Sequence, residues 1–146
     1  MTSPIDAALT DLADEFELLG DWEERYRYVI ELGKELAPLT DAERSEDNKV
    51  RGCASQVWLV TLPQADGTLV FKGDSDAHIV SGLVAIMLRL YSGRAPADIV
   101  AFDAKAALDR LGLSEALSSQ RSNGLKSMVA RIQHDARAAL GQTSLG

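Results

Sequence analysis

The sequence predicts an α+β domain in which a β-hairpin is packed against several helices. Three observations lead there. The first third of the chain is acidic and carries apolar residues at helical spacing. Two short β-rich runs then flank a turn, Gln64-Ala65-Asp66-Gly67. After them comes Ile79–Tyr91, apolar nearly all round, as in a helix buried on every side. The 146 residues, 46% of them apolar, suffice for one domain with a core, and the whole range 1–146 is read as a single domain.

In chain order, Ser3-Pro4 places an N-cap before a proline at the first helical position. Ile5, Leu9, Leu12, Phe16 and Leu19 then fall near one face of the first helix, which Gly20 stops. Asp21 caps a second helix, with Glu24 as capping-box partner. Its expected inner stripe is Trp22, Tyr26, Val29, Gly33 and Leu36 or Ala37, and Pro38 ends it. Thr40 and Glu43 repeat the capping-box spacing and predict one short helical turn, followed by a polar loop. Val57–Leu62 and Thr68–Lys72 are the two strands. Both faces of the first are apolar, which calls for cover on more than one side or for an interior position in a small sheet. Gly73-Asp74-Ser75-Asp76 is read as leaving the second strand and capping the buried helix. Two short helices follow, around Pro96–Phe102 and Ala104–Leu111. Ser118 caps a long amphipathic helix with Leu125, Met128, Val129, Ile132, Ala136 and Leu140 on its inner stripe. Gly141 ends it, and the last few residues are expected to fray.

Charge and cysteine usage narrow the function. Net charge is −7, but residues 1–48 hold 14 acidic and 4 basic residues, against 8 and 11 in the remainder. An acidic half disfavours nucleic acid, and no apolar run is long enough to span a bilayer. One cysteine rules out an intramolecular disulfide, and no signal peptide is visible, so a cytoplasmic location is expected. One cysteine and two distant histidines, His78 and His134, give no metal-site spacing. No phosphate loop and no nucleophile elbow is present. What remains is Cys53. A lone cysteine is by default a small buried apolar residue. Here it follows a polar loop and sits beside Gly52, with Lys49 and Arg51 as the nearest cations in sequence, which would favour the thiolate. No histidine base is adjacent in sequence, so the thiol reads as a carrier more than as the nucleophile of a stand-alone enzyme.

The stretch Gly52-Cys53-Ala54-Ser55-Gln56-Val57-Trp58 resembles the cysteine loop of SufE-type sulfur acceptors. Further motifs resemble that family in order: Asp21-Trp22-Glu23-Glu24-Arg25-Tyr26 through Gly33, Gly73-Asp74-Ser75-Asp76-Ala77 with Ile79-Val80 and Gly82-Leu83, and Arg121-Ser122-Asn123-Gly124-Leu125. Ser119-Gln120 stand where the family often has a proline, and the additional N-terminal cysteine of some members is absent. The resemblance implies a sheet of about three antiparallel strands with helices against it, shared with iron–sulfur scaffold proteins of the IscU type. It implies that Cys53 accepts persulfide sulfur from a PLP-dependent cysteine desulfurase of the SufS or CsdA type, activates it, and passes the sulfur to an iron–sulfur scaffold. No cofactor of its own is implied. Arg51, Gly52, Asp74, Asp76 and Arg121 are the candidate supporting or partner-binding residues. Trp58 is expected as a core anchor beneath the loop, Asp74 and Asp76 as caps or as groups ordering it, and Arg121 as a carboxylate ligand within the protein or on the partner. Asn123 and Gly124 are read as close helix packing. The alternative is an adaptor or scaffold of the same fold that docks a desulfurase without carrying sulfur.

Overall fold

The computed structural model describes residues 3–141. Its elements run α1 (Pro4–Leu18), α2 (Trp22–Lys34), β1 (Val57–Pro63), β2 (Leu69–Ser75), α3 (His78–Tyr91), α4 (Pro96–Ala101), α5 (Ala104–Arg110), α6 (Leu113–Ala116) and α7 (Ser119–Ala139). The α+β class is as expected. The expected fraying of the last few residues falls mostly outside the described range.

Local capping chemistry sets most helix starts. Ser3 accepts from the Asp6 amide, Asp21 from the Glu24 amide and Ser118 from the Arg121 amide. Thr40 and Glu43 form a reciprocal capping box, Thr40 N donating to Glu43 Oε1 at 2.9 Å and Glu43 N to Thr40 Oγ1 at 3.1 Å. It closes a turn that does not propagate into a helix.

The hairpin is antiparallel, with Val57 opposite Ser75 and Pro63 opposite Leu69. Among the described residues the sheet has two strands, against the three or so that the resemblance implied. Each outer edge carries only an isolated bridge. Asn48–Val50 runs beside β1, with Val50 N donating to Val57 O and Leu59 N to Asn48 O, both at 2.8 Å. Arg94 bridges to Leu69 on the far edge. A third strand stops at one bridge because Ser45–Asn48, ahead of Lys49, is polar and turns instead of extending.

The second strand also differs from expectation. It continues through Gly73, Asp74 and Ser75, and α3 starts behind Ala77 with no side-chain cap. Gly73 is there for packing: a Cβ would meet Val84 Cγ1 at 2.7 Å and Leu59 Cδ2 at 2.9 Å. The hairpin can therefore lie close on α3, whose Leu83, Val84, Ile86, Met87, Leu90 and Tyr91 are all at most 1% exposed. As expected, α3 is the buried centre of the fold.

α2 crosses α3 at a pair of glycines. A Cβ on Gly82 would lie 2.1 Å from the Val29 carbonyl oxygen, and one on Gly33 would lie 2.6 Å from Gly82 N. Backbone meets backbone there, so no rotamer change can make room. The expected α2 stripe is only partly inward. Val29 is buried, but Trp22 and Tyr26 are each over a third exposed. α1 is tied to α3 by an ion pair between Glu15 and Arg89, to which the Tyr28 hydroxyl also bonds.

Gly82→Ala is expected to lower unfolding free energy by about 3 kcal/mol, the upper range for forcing atoms into a packed interior. Urea denaturation against wild type measures it, and a loss under about 1 kcal/mol would mean the helices can separate at no cost.

Candidate functional site

The segment from Asp47 to Gln56 has no ladder of its own, and two neighbours shape it. On one side is α7. Arg131 Nη2 donates to the Asp47 carbonyl at 2.9 Å and Nη1 to the Lys49 carbonyl at 3.5 Å. Gly52 has φ +88°, a left-handed conformation that disfavours side chains, and a Cβ there would meet Ser127 Oγ at 2.5 Å. Gly52 is thus needed both for the turn and for the approach to α7. On the other side is the end of the hairpin. Asp76 accepts from Gln56 N at 3.1 Å and from Gln56 Nε2 at 3.2 Å, and Ser75 Oγ donates to the Gln56 carbonyl at 2.7 Å.

Cys53 is held between these supports, half-buried against the core. Its thiol donates to the Gly124 carbonyl of α7, with Sγ 3.6 Å from the oxygen. Gly124 is buried, and a Cβ on it would sit 3.7 Å from the sulfur. The expected close packing at Gly124 is present, but against the cysteine loop and not another helix. The sulfur opens into a cleft of about 330 Å³. Val80, Leu83 and Met128 make its apolar floor, while Ala54, Ser55, Ser118, Gln120 and Arg121 line the rest.

The electrostatics depart from the sequence reading. Burial pushes the Cys53 thiol up from its ordinary range. The cations close in sequence do not offset this. Arg51 points into solvent and pairs with Glu46 at 3.3 Å, and the Lys49 backbone is engaged with β1 and Arg131. Sequence proximity to a cation thus did not lower the cost of the thiolate: burial alone sets the direction, and Arg51 is spent on Glu46.

The other candidates are distributed around the loop. Asp76 bonds it directly. Asp74 sits one step away, accepting from the Ser75 amide at 2.8 Å and from Ser81 Oγ at 3.2 Å, and paired with Arg44 at 3.4 Å. Neither caps α3; both act from within or just after the strand. Arg121 lies at the cleft mouth, bonded through Nη1 to the Tyr26 hydroxyl at 3.0 Å. Trp58 is not a core anchor. It is partly exposed at the strand's outer face, with the Arg44 guanidinium 6.0 Å from its ring centroid. Val80, Leu83, Ser118, Gln120 and Met128 were not singled out from sequence for this cleft. Their apolar spacing on α3 and α7 was visible, but not that part of each stripe faces a void. Among the described residues, no group of three or more His, Cys, Asp and Glu is placed to hold a metal, and no helix is long and apolar enough to cross a membrane.

The fold and site define a small α+β protein that presents one thiol to a cleft with an apolar floor. Residues 10–136 match the SufE family, described as an Fe-S metabolism associated domain, and the chain belongs to that family. It is 56% identical over 134 residues to an uncharacterized SufE-like protein of Rhizobium etli, covering 90% of each chain. It is 51% identical over 136 residues to another from Rhizobium meliloti, covering 91% of this chain and 97% of that one. The solution structure of a hypothetical protein from Thermus thermophilus shares the fold, with a TM-score of 0.77 at 20% identity over 97% of this chain and 99% of that one. Family membership is consistent with a sulfur-transfer role in iron–sulfur metabolism and implies a cysteine desulfurase as the partner class.

Two outcomes follow from the loop geometry. Alkylation of Cys53 by iodoacetamide should rise with pH along a curve whose midpoint lies above that of the same cysteine in the urea-unfolded chain. The folded state then favours the protonated thiol, so this contribution to stability is full below the unfolded-state pKa and is lost as pH rises through the folded one. A midpoint at or below the unfolded value would contradict the burial. Gly52→Ala should cost about 1–2 kcal/mol in urea denaturation, because a side chain is forced into a left-handed turn. Adding Ser127→Ala should recover only the part due to the contact.

Proposed function

We propose that the chain, acting over residues 1–146 as one domain in the cytoplasm, accepts sulfane sulfur on Cys53 from the persulfide of a PLP-dependent cysteine desulfurase. The observation that carries the reading is the position of the thiol: reachable from solvent, yet opening into a cleft with room for an added sulfur. The Cys53 thiolate attacks the terminal sulfur of the donor persulfide, and the desulfurase cysteine leaves as thiolate. Emptying the donor frees it for another turnover, so the carrier activates the desulfurase. The persulfide is then passed on to an iron–sulfur scaffold.

The surroundings divide the work. The apolar floor of Val80, Leu83 and Met128 keeps water from one side of the added sulfur. Gly52 and the Asp76–Gln56 bonds fix where the loop rests, and Asp74 fixes the strand end behind them. Arg51, exposed on the loop's outer side, and Arg121, at the cleft mouth, are the cations a partner surface meets first. Burial raises the cost of the Cys53 thiolate, and docking of the donor is the event that lowers it.

Incubation with a cysteine desulfurase, PLP and L-cysteine should add one sulfur atom's mass to the intact protein, and peptide mapping should place it on Cys53. Cys53→Ser should neither gain the mass nor stimulate the desulfurase. Stimulation by the serine variant equal to wild type would leave only a docking role.

A further inference from the structure

The thiol cleft holds a second chemical feature besides its sulfur. One wall is the start of α7, where Ser118, Gln120 and Arg121 face the space. The Arg121 amide is taken by Ser118 Oγ, but the amides of Ser119 and Gln120 lie ahead of the first intrahelical bond. A helix of 21 residues carries partial positive charge at that end. Arg121 adds a full charge at the same mouth, and its side-chain hydrogen bond among the described residues is to the neutral Tyr26 hydroxyl. The floor beneath is the apolar Val80, Leu83 and Met128. At about 330 Å³ the cleft stands at the small end of ligand-pocket sizes. A cationic corner, an apolar floor and a nucleophilic sulfur therefore share a space fit for a molecule of amino-acid size.

We propose that the cleft binds small carboxylate-bearing thiols, the carboxylate held by Arg121 and the first turn of α7 and the sulfur directed at Cys53, and that such a thiol takes sulfur directly from the Cys53 persulfide. The transfer half rests on Cys53 being a sulfur carrier; the binding half does not. In the transfer, the small thiolate attacks the terminal sulfur of the Cys53 persulfide. A new sulfur–sulfur bond forms, the bond to Cys53 Sγ breaks, and Cys53 leaves as thiolate. The terminal proton stays with the transferred sulfur, so the product is the small persulfide and no oxidant or reductant is consumed. The protein would thus deliver sulfur in diffusible form as well as to a protein recipient.

The binding half is tested on the full chain by alkylating Cys53 with iodoacetate and with iodoacetamide, each rate referred to the same cysteine in the urea-unfolded chain. The folded protein should favour the anionic reagent by about tenfold relative to that reference, as expected of one charge-assisted contact. The preference should saturate with reagent, be competed by propionate, vanish in Arg121→Gln and largely survive in Arg121→Lys. A ratio equal to the unfolded reference, or one unchanged in Arg121→Gln, overturns the site. The transfer half is tested on protein loaded by a desulfurase and freed of it. Per thiolate present, 3-mercaptopropionate should remove the added sulfur faster than 2-mercaptoethanol by a similar factor, and Arg121→Gln should erase the difference. Equal rates in wild type overturn the transfer. Failure of the desulfurase to load Cys53 overturns the carrier reading and the transfer with it, while the alkylation ratio still decides the binding site.

Discussion

The site depends on one contact, between the irregular segment Asp47–Cys53 and the side of α7. This stretch makes only one bridge of regular structure, at Lys49, and so borrows its shape from the helix. Arg131 collects two of its carbonyls, Gly52 comes within a side chain's width of Ser127, and the thiol rests on the Gly124 carbonyl. Those partners span about two turns of one helix, from Gly124 to Arg131. α7 must therefore keep its axis fixed relative to α3, and Leu125, Met128, Ile132 and Ala136, all at most 2% exposed, fix it. The core beneath the helix and the thiol above it are two faces of one element.

Burial and reactivity pull against each other at Cys53. The sulfur packs where an added atom can be covered, but the same packing raises the free energy of the thiolate that must attack. The carbonyl of Gly124 favours the protonated form further, as an acceptor facing the S–H. At a given pH a thiol so placed reacts more slowly with solution electrophiles than an exposed one. Positive charge is available nearby, but at the cleft mouth on Arg121 and at the start of α7, not on the flanking residues of the loop.

What was legible in the sequence was mostly local. Caps at Ser3, Asp21 and Ser118 act over three residues, and the Thr40–Glu43 box is closed within one turn, so spacing alone identifies them. The buried α3 was legible because its pattern has no polar face. The errors came where a residue's purpose is set by something distant. Gly73 looks like a turn glycine but makes room for Val84 and Leu59 inside a strand. Trp58 looks like core but is covered by Arg44, fourteen positions earlier in the chain. Asp76 looks like a helix cap but bonds Gln56, twenty positions away. Cys53 itself was legible as the only thiol beside a glycine, whereas its cleft was not, since a void is a property of three elements together.

The supports of the loop are unequal, and the inequality has a direction. Up to Val50 the chain is held by backbone bonds at the sheet edge and by burial, with Val50 only 4% exposed. From Arg51 to Gln56 the bonds are between exposed groups, Arg51 with Glu46 and Gln56 with Asp76 and Ser75, except at Cys53, whose half-buried thiol rests on the Gly124 carbonyl. The exposed contacts contribute little each, since water replaces them at small cost. The support on either side of the thiol is therefore weaker than at the sheet edge. A surface that offers its own donors and acceptors to Gln56 and Arg51 competes with these bonds on nearly equal terms, while the sheet edge and α7 remain as they are. The change from buried to exposed support thus falls between Val50 and Arg51, at the foot of the turn that Gly52 makes.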